Sequence, residues 1–450
     1  MPFTSLARVL APLGLVASFL SRSAVSAEEP VRLEERFSIG DQYSVKSRSE
    51  VSGTLTLPAE KGKPAMPPLT IRGDSAIEYD ERVLTQLPNG QVGKTLRICR
   101  RVDFQRTVGD RPQESTLRPA VRRLVLLRDG RAKKAPFSPD GPLTWGEIDL
   151  IRTDVFVPAL SGLLPTAAVK PNETWTASAD AVQELTGLAS IDEGRLECRL
   201  EQVSMQGRHR EARVALSGTL RGMGEDGTSR QQLKGHFLFD LDAGRLVYVE
   251  LRGVHALLAG DGHEVGRIEG RFVLSRQADV RVPELSDEAL RGVTLEPDAE
   301  HTLLLYDNAD LGVRFLYPRR WRIAGGGGNQ VAMDAPDGSG FMLTIESTTR
   351  TPTGAQFFSE TRDFLQGQKA RIDRVDPPRT VQANPPREHF ALEVELTGQK
   401  FLMDYHVSRQ GGGGAVLAAR LLPNEQAALQ REVESIARSI VITKRIEERK

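Results

Sequence analysis

Alternation of apolar and polar residues at period two runs through most of the chain up to residue 283, and it constrains the fold more than any other feature. Over 42–57 it places Tyr43 and Val45 on one side of an extended segment. The same pattern recurs over 75–87, 94–108, 196–203, 213–221, 232–240, 245–254 and 266–280. Turn sequences such as Pro88-Asn89-Gly90 separate these segments. Residues 28–283 are therefore predicted to form a large, predominantly antiparallel sheet domain, a curved sheet or half-barrel.

One segment of this domain, 150–164, is apolar without alternating, and it is the best candidate there for a helix. A sheet of this kind needs one face covered, and the segment is predicted to lie inside the curve as a plug or lid. Its inward-facing residues would line a ligand cleft, and the candidates are Phe156, Leu160, Leu163 and Leu164. A mobile plug would leave an apolar cleft, whereas a permanent one would fill it, and both alternatives stay open.

The chain changes character after residue 283. Residues 284–300 are acidic and lack alternation, which is typical of a linker. Beyond them, two helices are mixed with strands predicted at 302–306, 313–317, 387–396, 401–408 and 415–421. The helix over 355–371 follows a capping box of Thr353 and Gln356, and the helix from 424 carries an apolar stripe. Residues 301–445 are therefore predicted to be a smaller domain of sheet flanked by helices, and the fold class of the whole chain is α+β.

Two family resemblances accompany these predictions. The chain over about 300–445 resembles PsbP-like and DcrB-like domains. The resemblance lies in the order of Tyr306, Leu311-Gly312-Val313-Arg314-Phe315, Tyr317-Pro318 and Trp321, followed by a closing helix with Ile436 and Ile440. That resemblance implies an antiparallel sheet flanked by helices and a non-catalytic accessory or assembly role. Through its strand density and the hairpin at 240–246, the first domain is similar to exported bacterial sheet proteins of the lipoprotein-carrier kind. That similarity implies a curved sheet that cups an apolar ligand.

The first residues have the order of a secretory signal peptide. Arg8 precedes a short apolar run over 9–20, and Val25-Ser26-Ala27 offers small residues at the cleavage position. The run is shorter than the roughly 20 residues that span a bilayer, and an uncleaved anchor is the alternative. There is no cysteine near the cleavage position and no later apolar run of transmembrane length. We expect a signal peptide at 1–27 and an exported, periplasmic or extracellular protein without a lipid anchor.

Charge is balanced overall, with 60 Lys and Arg against 60 Asp and Glu, and nothing in it predicts a nucleic-acid partner. It is uneven locally, because residues 94–134 hold 13 basic and 4 acidic side chains. Such a stretch can attract anions through its summed field. The candidates for an anion patch are Arg97, Arg101, Arg122 and Arg123. The alternative is that these charges pair with carboxylates across the sheet.

Two cysteines, Cys99 and Cys198, are the only ones in the chain. In an oxidising compartment they could form a disulfide, and the alternative is two separate thiols. Alternation places Cys99 on one strand face with Arg97 and Arg101, and this predicts that Cys99 is the more exposed of the two.

The catalytic and metal-binding motifs that we searched for are absent or incomplete. Gly93-Lys94-Thr95 has Pro88 where a phosphate-binding loop needs glycine, and Asp240-x-Asp242 has Leu251 where a calcium loop needs glutamate. No nucleophile elbow of the Gly-x-Ser-x-Gly type occurs. The histidines that neighbouring strands could bring together are His236, His255 and His263 in the first domain and His389 and His406 in the second. Without evidence that either set converges, we predict no catalytic residue, no metal ligand and no cofactor.

The leading hypothesis from the sequence is a non-catalytic exported binding or envelope-accessory protein. Its partner would be an apolar or amphiphilic ligand in the first domain, or another envelope protein. The alternative is an enzyme whose site is assembled from dispersed Asp, Glu and His residues.

Overall fold

The computed structural model describes residues 29–56, 67–128 and 134–447. The signal peptide predicted at 1–27 lies outside the described residues. The protein is 55% strand and 14% helix, and its antiparallel sheets are open. The prediction of a mainly antiparallel α+β fold is thereby confirmed.

The first sheet has twelve strands and contains residues from 42 to 278. Its strands are β1 Gln42–Leu55, β2 Leu69–Gln86, β3 Val92–Val108, β4 Arg111–Thr116, β5 Arg123–Arg128, β6 Lys134–Phe137, β7 Thr174–Thr176, β8 Ser190–Gln206, β9 His209–Gly224, β10 Gly227–Asp240, β11 Arg245–Leu258 and β12 Glu264–Ala278. Their order across the sheet is β6-β5-β3-β2-β1-β12-β11-β10-β9-β8-β7, and β4 pairs with β3. Because β1 pairs with both β2 and β12, the long strands form one continuous surface.

Short helices cover one face of this sheet, which we call the inner face. They are α1 Trp145–Arg152, a 3-10 helix Val157–Leu163 and α2 Ala179–Thr186. The single helix predicted over 150–164 is thus two helices with an extended stretch between them. The break has a local cause, because Pro158 at the start of the 3-10 helix has no N–H and restricts the residue before it.

The remaining strands form two sheets. A small sheet has the order β13-β14-β22, and a seven-stranded second sheet has the order β15-β16-β17-β21-β20-β19-β18. The strands are β13 Leu304–Asn308, β14 Val313–Tyr317, β15 Arg322–Gly327, β16 Gln330–Asp334, β17 Gly340–Glu346, β18 Arg371–Ala383, β19 Pro386–Leu396, β20 Gln399–Gln410, β21 Gly413–Leu421 and β22 Val441–Ile442. The helices are α3 Gly354–Gly367, which begins with the predicted capping box of Thr353 and Gln356, and α4 Gln426–Ser439.

Helix α4 covers one face of the second sheet. Its apolar stripe, Leu429, Val433 and Ile436, is fully buried. Trp321 is also fully buried, and its Nε1 donates a hydrogen bond to the partly buried Glu432 of α4 at 2.8 Å.

The segment predicted as a linker packs against the first sheet. Leu285 and Leu290 are buried in a cluster with Leu96 and Phe137, on the face opposite to Arg97. The two parts of the chain also touch, since Arg319 donates a hydrogen bond to the carbonyl oxygen of Pro136 at 2.6 Å. The domain boundaries, 28–283, 284–300 and 301–445, stay a prediction.

Within residues 29–56, 67–128 and 134–447, no helix is both long enough and apolar enough to cross a bilayer.

Candidate ligand-binding groove

A groove of about 800 Å³ lies on the inner face of the first sheet. Strands β1, β10, β11 and β12 form its floor, and one wall is the end of α2 with the loop that follows it. The large apolar side chains in its lining include Val51, Leu188, Leu233, Leu251, Ile268 and Phe272. We call this site the inner groove.

The groove owes its depth to glycine at the centre of the floor. Gly253 on β11 pairs with Gly270 on β12, and the neighbouring positions in the same row are Leu233 and Val51. A Cβ atom at Gly270 would meet Val51 Cγ1 at 3.4 Å, which is an ordinary contact. A longer side chain at this position would therefore extend into the space above the floor.

The residues predicted to line a cleft are buried beside the groove. Phe156, Leu160 and Leu163 are at most 1% exposed, and Leu164 is partly buried against the same core. None of the four is among the residues that line the inner groove. The predicted plug segment, 150–164, reaches the groove through its residues 152–155.

Two polar atoms in the lining are buried without a hydrogen-bond partner in the described part of the chain: Ser229 Oγ and His255 Nε2. They lie on adjacent strands, because His255 is directly opposite Gln231, two residues along β10 from Ser229. Gln231 is itself bonded, since its Nε2 donates to the carbonyl oxygen of Thr186 at 3.0 Å. A buried polar group without a partner costs about 1–3 kcal/mol, so the groove contains two unsatisfied positions.

The charge of this end of the groove is set by burial and by acidic neighbours. Desolvation lowers the pKa of His255, and the nearby Asp226 carboxylate opposes this effect. The imidazole is therefore neutral at neutral pH. The two arginines of the lining face carboxylates, Arg152 with Glu225 at 3.7 Å and Arg271 with Glu250 at 3.0 Å.

A buried ionic network, which we call the Arg97 network, lies next to the groove. The Arg97 guanidinium is 2.7 Å from Asp154 and 3.2 Å from Glu81, and all three side chains are at most 2% exposed. Glu81 also accepts hydrogen bonds from Tyr43 at 2.7 Å and Thr95 at 2.8 Å. Desolvation is the largest influence on Tyr43 and raises the pKa of its hydroxyl well above the usual range. Buried charges with this many partners are typical of a structural network.

The four arginines of the predicted anion patch do not form one surface. Arg97 is buried in the network just described, whereas Arg122 is exposed. Arg101 pairs with Asp103, and Arg123 pairs with Asp140. Three of the four thus pair with carboxylates, as in the alternative drawn from the sequence.

Both cysteines are free and buried, with Cys99 3% and Cys198 0% exposed, so Cys99 does not lie on the exposed strand face that the sequence indicated. The two arginines that indicated such a face lie on opposite sides of the sheet because of a β-bulge, which shifts the register of β3 against β2 between Glu78 and Tyr79. The bulge leaves Cys99 and Arg97 on the inner face and Arg101 outside. Burial raises the pKa of each thiol to about 12.

One of the histidine sets does converge, and it gains a member that the sequence analysis missed. His389 Nε2 is 2.7 Å from Asp404 Oδ1, and His406 Nε2 is 3.2 Å from Asp404 Oδ2. The sequence does show that Asp404 is two positions before His406 and therefore on the same strand face. It does not show that Asp404 meets His389, because that contact depends on the pairing of β19 with β20. Desolvation opposes ionisation of Asp404, yet the bonds from the two rings hold the pKa of its carboxyl far below the usual range.

These three residues, the Asp404 cluster, have donor atoms close enough to hold a metal ion. In the structure they bond to one another, and Gln430 of α4 also donates to Asp404 at 3.2 Å. The distances are those of hydrogen bonds. Because the cluster lies under α4 and away from the inner groove, we interpret it as a buried hydrogen-bond network.

The other predicted histidine set, His236, His255 and His263, is in no cluster with metal-binding geometry among the described residues. A second such cluster combines His209 with Asp240 and Asp242 at an exposed hairpin. There Asp240 accepts hydrogen bonds from the backbone N–H groups of Asp242 and Ala243, at 2.9 and 2.8 Å. Those bonds are what the predicted hairpin turn requires.

No family model and no curated protein matches the sequence. Among solved structures, cyanobacterial PsbP (CyanoP) from Synechocystis sp. PCC 6803 is similar at 16% identity, over 31% of this chain and 92% of that one, with a TM-score of 0.25. A lipovitellin structure titled for lipid–protein interactions is similar at 12% identity, over 55% of this chain and 26% of that one, with a TM-score of 0.29. Both are weak, partial structural similarities, and the chain spans about a quarter of the lipovitellin chain.

Proposed function

We propose that the protein is a non-catalytic exported binding protein that holds an apolar or amphiphilic small molecule in the inner groove. The observation that carries this proposal is a groove of about 800 Å³ with an apolar lining over a glycine floor. Small-molecule sites typically enclose about 300–1,000 Å³, are lined mainly by apolar side chains and contain a few polar groups. The inner groove matches this description in volume and in the larger apolar share of its lining surface, and charged residues such as Asp226 and Arg271 also belong to the lining.

The positions of the two cysteines and of the Asp404 cluster support a binding role over the enzymatic alternative. Cys99 and Cys198 are buried, and their raised pKa keeps the thiols protonated at neutral pH. The Asp404 cluster is closed under α4 by its own hydrogen bonds. None of these groups lines the inner groove.

Export and an accessory role of residues 301–445 complete the proposal. The signal-peptide pattern at 1–27 supports a periplasmic or extracellular protein without a lipid anchor. The Tyr317-Pro318 and Trp321 positions support a PsbP-like module that docks another envelope protein. N-terminal sequencing of protein from the native host is expected to begin at Glu28, and a chain that begins at Met1 would contradict cleavage.

Binding is tested by titration with Nile red, a neutral apolar dye whose fluorescence rises on transfer from water. We expect the wild-type protein to bind it, and Gly270→Leu to weaken binding about tenfold or more by filling the groove. The matched control is Gly146→Leu, because Gly146 is exposed on α1 and a Cβ there meets no atom of the described residues within 4 Å. A wild-type protein that does not bind the dye, or equal binding by both variants, would overturn the proposal.

A further inference from the structure

The inner groove has a polar end, and its chemistry restricts the class of ligand. Ser229 is 1% exposed, and its Oγ has no partner among the residues that the structure describes. His255 Nε2, on the neighbouring strand, is in the same situation. Native proteins rarely leave buried polar atoms unsatisfied, and such positions call for an explanation. A ligand group that bonds to both atoms provides one.

The two side chains are close enough to contact one head group. Both belong to the inner face. Ser229 on β10 is directly opposite Leu257 on β11, and His255 on β11 is directly opposite Gln231 on β10. They are therefore diagonal neighbours, a relation in which Cα atoms are typically about 7–8 Å apart. Apolar side chains, including Leu233, Leu257 and Ile268, line the space next to them. A ligand with a small polar head and a hydrocarbon body fits this division of the lining.

The head group should carry no charge. Among the described residues of the lining, Arg152 and Arg271 face carboxylates, and Asp226 adds a further acidic group near His255. An anionic head would lose its hydration water on entering the groove. Both arginines of the lining already face carboxylates, so the anion would stay unpaired, and burial of an unpaired charge is costly. A hydroxyl both donates and accepts, so it can satisfy the serine and either tautomer of the imidazole.

We propose, on the basis of the function proposed above, that Ser229 and His255 bind the hydroxyl head of a neutral amphiphile in the inner groove. The groove would then select molecules of the monoacylglycerol or long-chain alcohol class over fatty-acid anions of the same chain length. Selection would come from the two hydrogen bonds and from the cost of burying an anionic head, whereas affinity for the hydrocarbon body would come from the apolar lining.

The test is competition against bound Nile red at pH 7.5, with monooleoylglycerol and oleate, which share one acyl chain. We expect monooleoylglycerol to displace the dye at a concentration about tenfold lower than oleate. In Ser229→Ala and in His255→Phe this preference, measured as the ratio of the two displacing concentrations within each variant, should fall severalfold. Ser217→Ala is the matched control, because Ser217 is exposed on the neighbouring strand β9, and it should keep the preference.

The outcomes separate this inference from the function on which it rests. Dye binding without a preference for monooleoylglycerol, or with a preference for oleate, overturns the inference and leaves the groove as an apolar site. A preference of unchanged size in both Ser229→Ala and His255→Phe also overturns it. Absence of dye binding in the wild-type protein overturns the groove function, and the inference with it.

Discussion

The two large sheets treat their covered faces differently. On the second sheet, α4 buries its whole apolar stripe, and the polar atoms of Asp404 beneath it are bonded to His389, His406 and Gln430. On the first sheet, the short helices leave a groove over Gly253 and Gly270, with two unsatisfied polar atoms in it. The comparison shows that the two sheets differ in how completely helices cover them. Under α4 both carboxylate oxygens of Asp404 are bonded, although His406 Nδ1 has no partner among the described residues, whereas Ser229 Oγ and His255 Nε2 lie in a space that a ligand can enter.

Both sheets nevertheless bury charge, and the two networks can be broken separately. The largest expected effect is that of Arg97→Ala, which leaves the Glu81 and Asp154 carboxylates buried without their cation. Removal of one partner from a buried ion pair typically costs about 3–5 kcal/mol. We expect a loss of that size in the free energy of unfolding, measured by urea denaturation. Arg101→Ala is the control, and it should leave stability unchanged because the Arg101–Asp103 pair is exposed. Equal stability of the two variants would show that the Arg97 network is not structural.

A substitution in the Asp404 cluster should lower the free energy of unfolding by less, because the new side chain can keep the shape of the old one. Asp404→Asn retains the volume but replaces one accepting oxygen with a donor, which then faces the donor of His389 or His406. The loss of charge-assisted bonds is expected to cost about 1–3 kcal/mol. Thermal unfolding followed by circular dichroism measures this change. An unchanged or increased stability would mean that the cluster is strained, and would reopen its interpretation as a metal site.

The Asp404 cluster also predicts a pH dependence. Burial lowers the pKa of His406 in the folded protein, against the opposing influence of Asp404, while the unfolded chain titrates near the ordinary value of about 6.5. Between those two pKa values the unfolded chain binds a proton that the native chain does not. Stability is therefore expected to fall as the pH is lowered from 7.5 to 5.5, by at most about 1.4 kcal/mol per pH unit for this one group.

Desolvation lowers the pKa of His255 and of His236 as well, so these two residues add to the fall in the same direction. The contribution of His406 is isolated by His406→Phe, which should show a shallower dependence than the wild-type protein. A melting temperature that stays constant from pH 7.5 to 5.5 would contradict the prediction.

The smallest effect is expected at the groove floor. Gly270→Ala adds a methyl group in ordinary contact with Val51, and it reduces the freedom of the unfolded chain. We expect a change in the free energy of unfolding of less than about 1 kcal/mol, in either direction. The matched substitution in the second sheet is Gly414→Ala, where the Cβ would lie 1.9 Å from Thr351 Oγ1. That variant should lose about 1–3 kcal/mol through overpacking, and similar results at both glycines would remove the packing difference between the sheets.

Local features of the chain were predictable because each depends on neighbours in sequence. Alternation at period two located β1 and most of the later strands, and the Thr353–Gln356 capping box located the start of α3. The break at Pro158 is also a local effect, and the missing N–H of proline was the signal for it.

The site depends on what alternation alone cannot supply, namely which strands pair and in what register. One β-bulge in β3 separates Arg97 and Cys99, which are buried, from Arg101, which faces outward. Pairing of β11 with β12 brought Gly253 beside Gly270, and pairing of β19 with β20 brought His389 to Asp404. The sequence by itself determined the strands and their two-sided pattern, because side-chain direction follows from the backbone of one segment. Only the tertiary structure decided which side chains meet, because a shift of one residue in pairing moves every side chain to the other face.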